Sequence, residues 1–570
     1  KTDHSDTEVL LHGYEQWGFP GLLERLQGMF GFAIWDEKTG KLFLARDRIG
    51  IKPVYFTKRS GDFLFASEIK SLFADGSARP EAAPAALYHY LTYLTTPAPM
   101  TMFDGVYKLP AGLFMEIDIR GKMKATRYWD AVPGKGIAPD ETRNLSSSAL
   151  EDFYTSAIRR HLGEAIEKRM MSDVPYGAFL SGGVDSSVNV ALMSRFTDQP
   201  VNTFTVGFKD HQHLNELDEA RRVAKLFKTN HHEVLVNEAD MADYLGNLVQ
   251  QQDEPLADWV CIPLFFVSKL AKDSGIKVVQ VGEGSDEQFC GYNGYMKYLE
   301  LHRRYYKPFQ KFFPKPLQRS ISGLAAGVAR LWPAGELYAD AVHRAAQERE
   351  PFWSGAIGFW ESQKAPLLPG FSRQTPSGAE ELIEAGLLPP SYLEPDSYQV
   401  AASYLEPFDQ AYPGRDQLTR MIHNEFRLRL PELLLMRVDK ITMANSLEAR
   451  IPFLDHHLVD FTMDTPMEAK IRNGVTKHLL KKAVREIIPD DIIYRKKMGF
   501  SAPMAQWLRG DFGAQAKENI LGSPLLEKMG FDKSHIGTMI DGHRGGRRDT
   551  SLPVWVLHNL TAWHGHWVGS

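Results

Sequence analysis

The alternation of apolar and polar positions divides the chain into three stretches with different periods. Over residues 1–120, short apolar runs at Gly31–Trp35, Lys41–Ala45 and Val54–Phe56 alternate with turns rich in Gly, Asp and Lys. That period predicts an antiparallel, sheet-rich region carrying a few helices, one of them near 7–17. A stretch at 131–139 with Pro and Gly reads as linker. Helical spacing follows over 149–170, then strand-like runs at 177–180, Val201–Phe208, His232–Val236 and Val278–Val281, separated by helices at Leu217–Leu226 and Asn237–Gln250. Strands alternating with helices predict a parallel, doubly wound sheet, in which ligands sit at the carboxyl ends of the strands. Residues 293–425 keep helical spacing but carry aromatic and basic residues and several prolines without a clear motif, and read as a helical insertion. Apolar helices return over 430–490.

Bulk properties narrow the partners. At 570 residues the chain is too long for one core. A net charge of −5 with 24% charged residues gives no general attraction to nucleic acid or to anionic membranes, so small molecules or other proteins are expected. The two cysteines, Cys261 and Cys290, supply neither a disulfide framework nor a zinc cluster, and a reducing cytoplasm fits best. No apolar run reaches the length of a membrane span. The chain opens on Lys1 and enters Ser5-Asp6-Thr7-Glu8 directly, as if inside a folded domain, so a truncated or processed chain is expected.

Chemistry concentrates in two loops. Residues 177–196 run from a short apolar strand through Ser181-Gly182-Gly183-Val184-Asp185-Ser186-Ser187 into an apolar-spaced helix. Glycines let the backbone approach a ligand, and a helix N-terminus offers unpaired N–H groups to an anion. The loop lacks the Gly-Lys-Ser/Thr of a Walker A. It suits gripping the β,γ-phosphates while an acceptor attacks the α-phosphate, which is adenylate formation; a plain strand-to-helix turn is the bland alternative. The second loop, Gly282-Glu283-Gly284-Ser285-Asp286-Glu287, places three carboxylates behind a buried-looking strand. Carboxylates beside a phosphate site hold Mg²⁺ or move protons, and Asp185 with Asp286 form the natural Mg²⁺ pair; a solvated acidic turn is the alternative.

These loops, with Arg437–Asp455 and the turn Lys497–Ser501, resemble the synthetase half of glutamine-dependent asparagine synthetases. Ahead of them, Ser5–Glu8, Gly28–Asp36, Arg46–Pro53 and Ala66–Lys70 resemble the glutaminase half. The resemblance implies an α+β glutaminase domain over 1–130, an antiparallel sheet sandwich without its N-terminal segment. A linker at 131–148 and an α/β ATP pyrophosphatase domain over 149–570 would follow, with the helical insertion at about 293–425. It implies that Leu180, Val206 and Gly282 line the adenosine pocket, that Ser181–Ser187 hold pyrophosphate, and that Asp185 and Asp286 bind Mg²⁺. Glu283 would take a proton as ammonia attacks the acyl-adenylate, and Lys477 would stabilise charge on the α-phosphate. Without the resemblance, Lys477 reads as a solvated first-turn residue. The β-lactam-forming relatives carry a tyrosine at the place of Glu283. Asp6 would bind the α-amino group of glutamine, or cap the helix that follows it, or both. Arg46 and Asp47 read as structural.

The implied substrates are ATP, glutamine or ammonia, and aspartate or another carboxylate, with Mg²⁺ as cofactor; a homodimer is compatible. Two departures matter. The family's nucleophile is an N-terminal cysteine. Neither Cys261 nor Cys290 can replace it, so the chain beginning at Lys1 is expected to use ammonia and not to hydrolyse glutamine. The loop Asp253–Pro263 stands where aspartate-specific relatives contact the acceptor, yet it carries Trp259 and no arginine to clamp a carboxylate. A sugar uronate or a peptide carboxylate stays open as acceptor, and a non-catalytic paralogue is the reading from another class.

Overall fold

The computed structural model describes residues 5–59, 61–74, 76, 79–331, 336–372, 374–496 and 502–569. The helical region Asp6–Arg25 that opens the chain is two helices joined at a kink: Gly18, with φ +68° and ψ 176°, is non-helical, so the first helix ends near residue 17, as the sequence predicts. Seven strands follow: β1 (Gly31–Asp36), β2 (Lys41–Arg46), β3 (Tyr55–Arg59), β4 (Asp62–Ala66), β5 (Val106–Lys108), β6 (Leu113–Asp118) and β7 (Met123–Arg127). They form two antiparallel sheets, ordered β1-β2-β6-β7 and β4-β3-β5. Because side chains alternate across a strand, Leu44 faces inward to meet Phe56, Tyr107, Met115 and Ile117 between the sheets. Its neighbours Phe43 and Ala45 face outward to Phe19, Leu22 and Leu23 of the helix after Gly18.

The stretch read as linker is an ordered strap. The Asp464 carboxylate accepts from the N–H groups of Gly134, Gly136 and Ile137, and a short helix forms at Pro139–Thr142. Beyond it lie β8 (Tyr176–Phe179), β9 (Asn202–Phe208), β10 (Asn230–Val236), β11 (Val278–Gln280) and β12 (Glu448–Arg450). All five pair in parallel, in the order β10-β9-β8-β11-β12. Helices Ser147–Lys168, Val184–Met193 and Leu217–Leu226 cover one face. Glu238–Gln252, Cys261–Asp273 and Met436–Met443 cover the other. β12 escapes sequence analysis because three residues, two of them charged, carry no period; it exists through its pairing with β11.

The chain steps outward from β8 to β9 and β10 and then returns to the other side of β8 for β11. The strand order therefore reverses between β8 and β11, which opens a crevice at their carboxyl ends. Among the described residues of the insertion expected at about 293–425, helices form at Asn293–Leu301, Lys315–Leu331 and Tyr398–Ala411 among others, but they do not stand apart: Lys364 donates to the carbonyl of Tyr88, and the N–H of Ala125 to that of Ala385. Among the described residues, no helix is long and apolar enough to cross a membrane.

Candidate active site at the strand-order reversal

The loop after β8 is held in shape by its own hydroxyls. Ser186 Oγ accepts from the Ser181 N–H at 3.2 Å and donates to the Gly183 carbonyl at 3.3 Å, and the Gly183 N–H donates to Ser181 Oγ. Gly182 has φ +70°, and a Cβ there would lie 2.7 Å from the backbone of Glu219, so only glycine fits. Gly183 caps the helix Val184–Met193 without a side chain. Its carbonyl takes the first helical bond from Ser187 N, which leaves the N–H groups of Val184, Asp185 and Ser186 ahead of the helical ladder. That is an anion site in waiting. Leu180, Val206 and Ser187 are buried, while Ser181, Gly183, Asp185 and Gly282 keep partial exposure.

The two loops meet through Lys477. It lies almost fully buried in a left-handed backbone conformation just ahead of the helix His478–Ala483, its N–H fixed by the Phe289 carbonyl. Its Nζ sits 2.7 Å from Asp185 Oδ2 and 2.7 Å from Asp286 Oδ1. Ser285 Oγ completes the knot, donating to Asp185 at 2.7 Å and accepting from Lys477 at 3.2 Å. Burial alone would depress the ammonium, but Asp185 and Asp286 outweigh it and hold Lys477 above the usual lysine range. A Cβ on Gly291 would strike both Asp286 and Lys477, which explains glycine there. Asp185 and Asp286 thus converge on one point beside the phosphate loop. Their hard carboxylate oxygens suit Mg²⁺.

Glu283 lies on the neighbouring side. Arg437, from the helix Met436–Met443, reaches Glu283 Oε1 at 2.6 Å with one nitrogen and Asp258 Oδ2 at 2.5 Å with the other. Against the cost of burial, Asp258 and then Glu283 keep this guanidinium above its usual range. The loop Asp253–Pro263 has no arginine of its own, but the fold supplies one from a segment far along the chain. Trp259 is half-buried and packs on the main core. Behind Glu283, Glu287 is fully buried and accepts from the Tyr292 hydroxyl at 2.7 Å; burial, then the Asp286 charge, push it up to about 7.

The segment bearing Arg437 is gripped by the N-terminal sheets. Buried Arg46 donates to the carbonyls of Gly50, Lys52 and Leu109 and to Glu432 Oε1 at 3.2 Å. Lys108 meets Glu432 at 3.1 Å, Lys52 meets Asp439 at 2.8 Å, and Lys440 meets Asp253 and Glu68, both at 2.9 Å. Asp47 folds its own turn, accepting from the N–H groups of Gly50, Ile51 and Lys52. Both residues are structural, as the sequence suggests.

The family model described as "Asparagine synthase" matches residues 157–565. The chain belongs to the asparagine synthase family. A model of a glutamine amidotransferase domain matches 1–129. Among relatives, asparagine synthetase (glutamine-hydrolyzing) 1 of Bacillus subtilis is 31% identical, over 98% of this chain and 80% of its own length. A Mycobacterium tuberculosis relative, likewise named for asparagine synthetase, is 34% identical over 99% of this chain and 80% of its own length.

Within this member of the asparagine synthase family, Asp185, Ser285, Asp286 and Lys477 form one bonded cluster, and Glu283 stands in the same loop as two of them. Asp6 is elsewhere: it is exposed in the first turn of the opening helix, touched by Thr7 at 3.5 Å. Ser5, not Asp6, occupies the N-terminal capping position, and its side chain makes no capping hydrogen bond, so the cap expected of Asp6 is not formed. The turn Lys497–Ser501 lies outside the described residues. Sequence analysis missed Arg437 and Asp258, although Arg437 stands in a quoted segment; a buried arginine opening a charged helix is its only local signal. Cys261 and Cys290 are buried and their thiols are pushed up by burial, Cys290 to about 12, so neither is an activated nucleophile.

Proposed function

We propose that this chain activates a carboxylate with ATP and converts it to an amide, aspartate to asparagine, with ammonia as the attacking nitrogen and glutamine as its source in the full system. The observation that carries this reading is Lys477 Nζ held between Asp185 of the phosphate loop and Asp286 of the acidic loop. A cation buried at that point can follow the α-phosphate as charge builds on it.

The β,γ-phosphates rest on the N–H groups of the Ser181–Ser187 loop, and the adenosine lies near Leu180, Val206 and Gly282. An acceptor oxygen attacks the α-phosphorus and pyrophosphate leaves. Asp185 and Asp286 would hold Mg²⁺, which when bound neutralises pyrophosphate charge. Ammonia then attacks the acyl carbon, AMP departs with the bond to phosphorus intact, and Glu283 accepts the proton released from nitrogen. Arg437 fixes the Glu283 carboxylate from one side and presents a guanidinium at the acceptor loop. Support comes from the family membership and from the bonded cluster at the strand-order reversal. This reading fits a soluble biosynthetic enzyme of the cytoplasm.

The test is pyrophosphate release with ammonium and a panel of carboxylates. Aspartate alone should support it together with asparagine formation, and activity only with a uronate would overturn the acceptor. Glu283→Gln should retain pyrophosphate release and suppress amide formation; an equal loss of both would remove Glu283 from the proton-accepting role.

A further inference from the structure

The helical insertion carries a surface that the reaction does not use. Between residues 301 and 335 the sequence has seven Lys or Arg and no Asp or Glu, within a chain of net charge −5. Arg303, Arg304, Lys307, Lys311, Lys315 and Arg319 are all exposed. Two of them have acidic partners, Arg304 with Glu300 and Lys315 with Glu348, both pairs lying at the surface. Arg303, Lys307, Lys311 and Arg319 form no ion pair among the described residues.

The helix Lys315–Leu331 inverts the usual order of an amphipathic helix. Its buried side is polar: Gln318 donates to the carbonyls of Gln310 and Phe313, and Ser322 bonds His343 at 3.0 Å. Its outward stripe is apolar, with Leu317, Ile321, Leu324 and Val328 spaced by four, three and four residues. Leu317, Leu324 and Val328 are 46%, 71% and 57% exposed, and just ahead of the helix Tyr305 and Phe312 are 64% and 72% exposed. Apolar patches of this kind mark interaction sites.

We propose that this surface docks on an anionic lipid membrane. The stripe enters the headgroup boundary while the cations meet lipid charge, the arrangement of an in-plane amphipathic helix. Charge decides the occupant. A second copy meeting the same patch across a two-fold axis would set cations against cations, and a nucleic acid would leave Leu324 and Val328 without a counterpart. The net charge of the whole chain averages this local field away.

The test is sedimentation of the full chain with phosphatidylcholine vesicles, with and without phosphatidylglycerol. Binding should require phosphatidylglycerol and weaken with salt. Leu324→Asp with Val328→Asp, at exposed positions where folding is little affected, should abolish binding while leaving pyrophosphate release in solution unchanged. Arg303→Gln with Lys307→Gln should weaken binding about fivefold per charge removed. Absence of binding to anionic vesicles at low salt overturns the proposal. So does binding indifferent to Leu324→Asp, retention of nucleic acid in place of vesicles, or a dimer that Leu324→Asp turns into monomer without any vesicle binding.

Discussion

Lys477→Met removes the cation held between Asp185 and Asp286. The two bonded carboxylate oxygens each lie 2.7 Å from Nζ and so stand at most twice that distance apart. Two unit charges about 5 Å apart repel by about 3 kcal/mol at an effective dielectric constant of about 20. Each carboxylate is 19% exposed, so water blunts the loss. The expected cost falls at the lower end of the about 3–5 kcal/mol seen when one partner of a buried pair is removed. Urea denaturation of the two proteins in EDTA should therefore differ by about 3 kcal/mol. Mg²⁺ should then recover much of the difference in the variant, since a divalent ion at about 100 times its Kd adds about 2.7 kcal/mol. The parent should respond less, because its lysine already neutralises the site. Pyrophosphate release should fall by about 10²–10³-fold, the effect of losing one electrostatic contact to a transition state. Equal urea midpoints for parent and variant, both indifferent to Mg²⁺, would refute the reasoning.

Arg437→Met leaves Glu283 and Asp258 without their shared guanidinium. A charged hydrogen bond of about 1.5–3 kcal/mol is lost, so amide formation per pyrophosphate released should drop about 10- to 100-fold; unchanged coupling would exclude a positioning role for Arg437. Stability should also fall in acid. Burial pushes His89 and His558 down to about 4, Lys364 adding to the effect on His89. Both are depressed below the unfolded value of about 6.5, so the native state binds fewer protons. Their contribution is complete above about pH 6.5 and is lost as pH falls toward about 4, reaching about 2 kcal/mol each by pH 5. A urea midpoint unchanged between neutral pH and pH 5 would contradict this.

Much of the site is legible in the sequence because its signals are local. Ser181–Ser187 and Gly282–Glu287 announce themselves through glycines, hydroxyls and carboxylates packed into a few residues. The strand-helix alternation that brings them together is equally readable. What stays hidden depends on long-range pairing. Glu283 and Arg437 are 154 residues apart, and nothing near either one marks the contact. β12 is too short for a period. The inverted helix at Lys315–Leu331 looks ordinary until its polar side is found buried. The end of the first helix near residue 17, by contrast, is legible, since Gly18 breaks the helical backbone there before a second helix continues to Arg25.

The reaction also has a direct chemical signature. If the acceptor carboxylate attacks the α-phosphorus and ammonia then displaces AMP, one carboxylate oxygen must leave in the AMP. Aspartate labelled with ¹⁸O in its β-carboxylate, turned over with ATP and ammonium, should yield AMP carrying one ¹⁸O and unlabelled pyrophosphate by mass spectrometry. Label in inorganic phosphate or pyrophosphate, or amide formed with unlabelled AMP, would contradict activation through an acyl-adenylate.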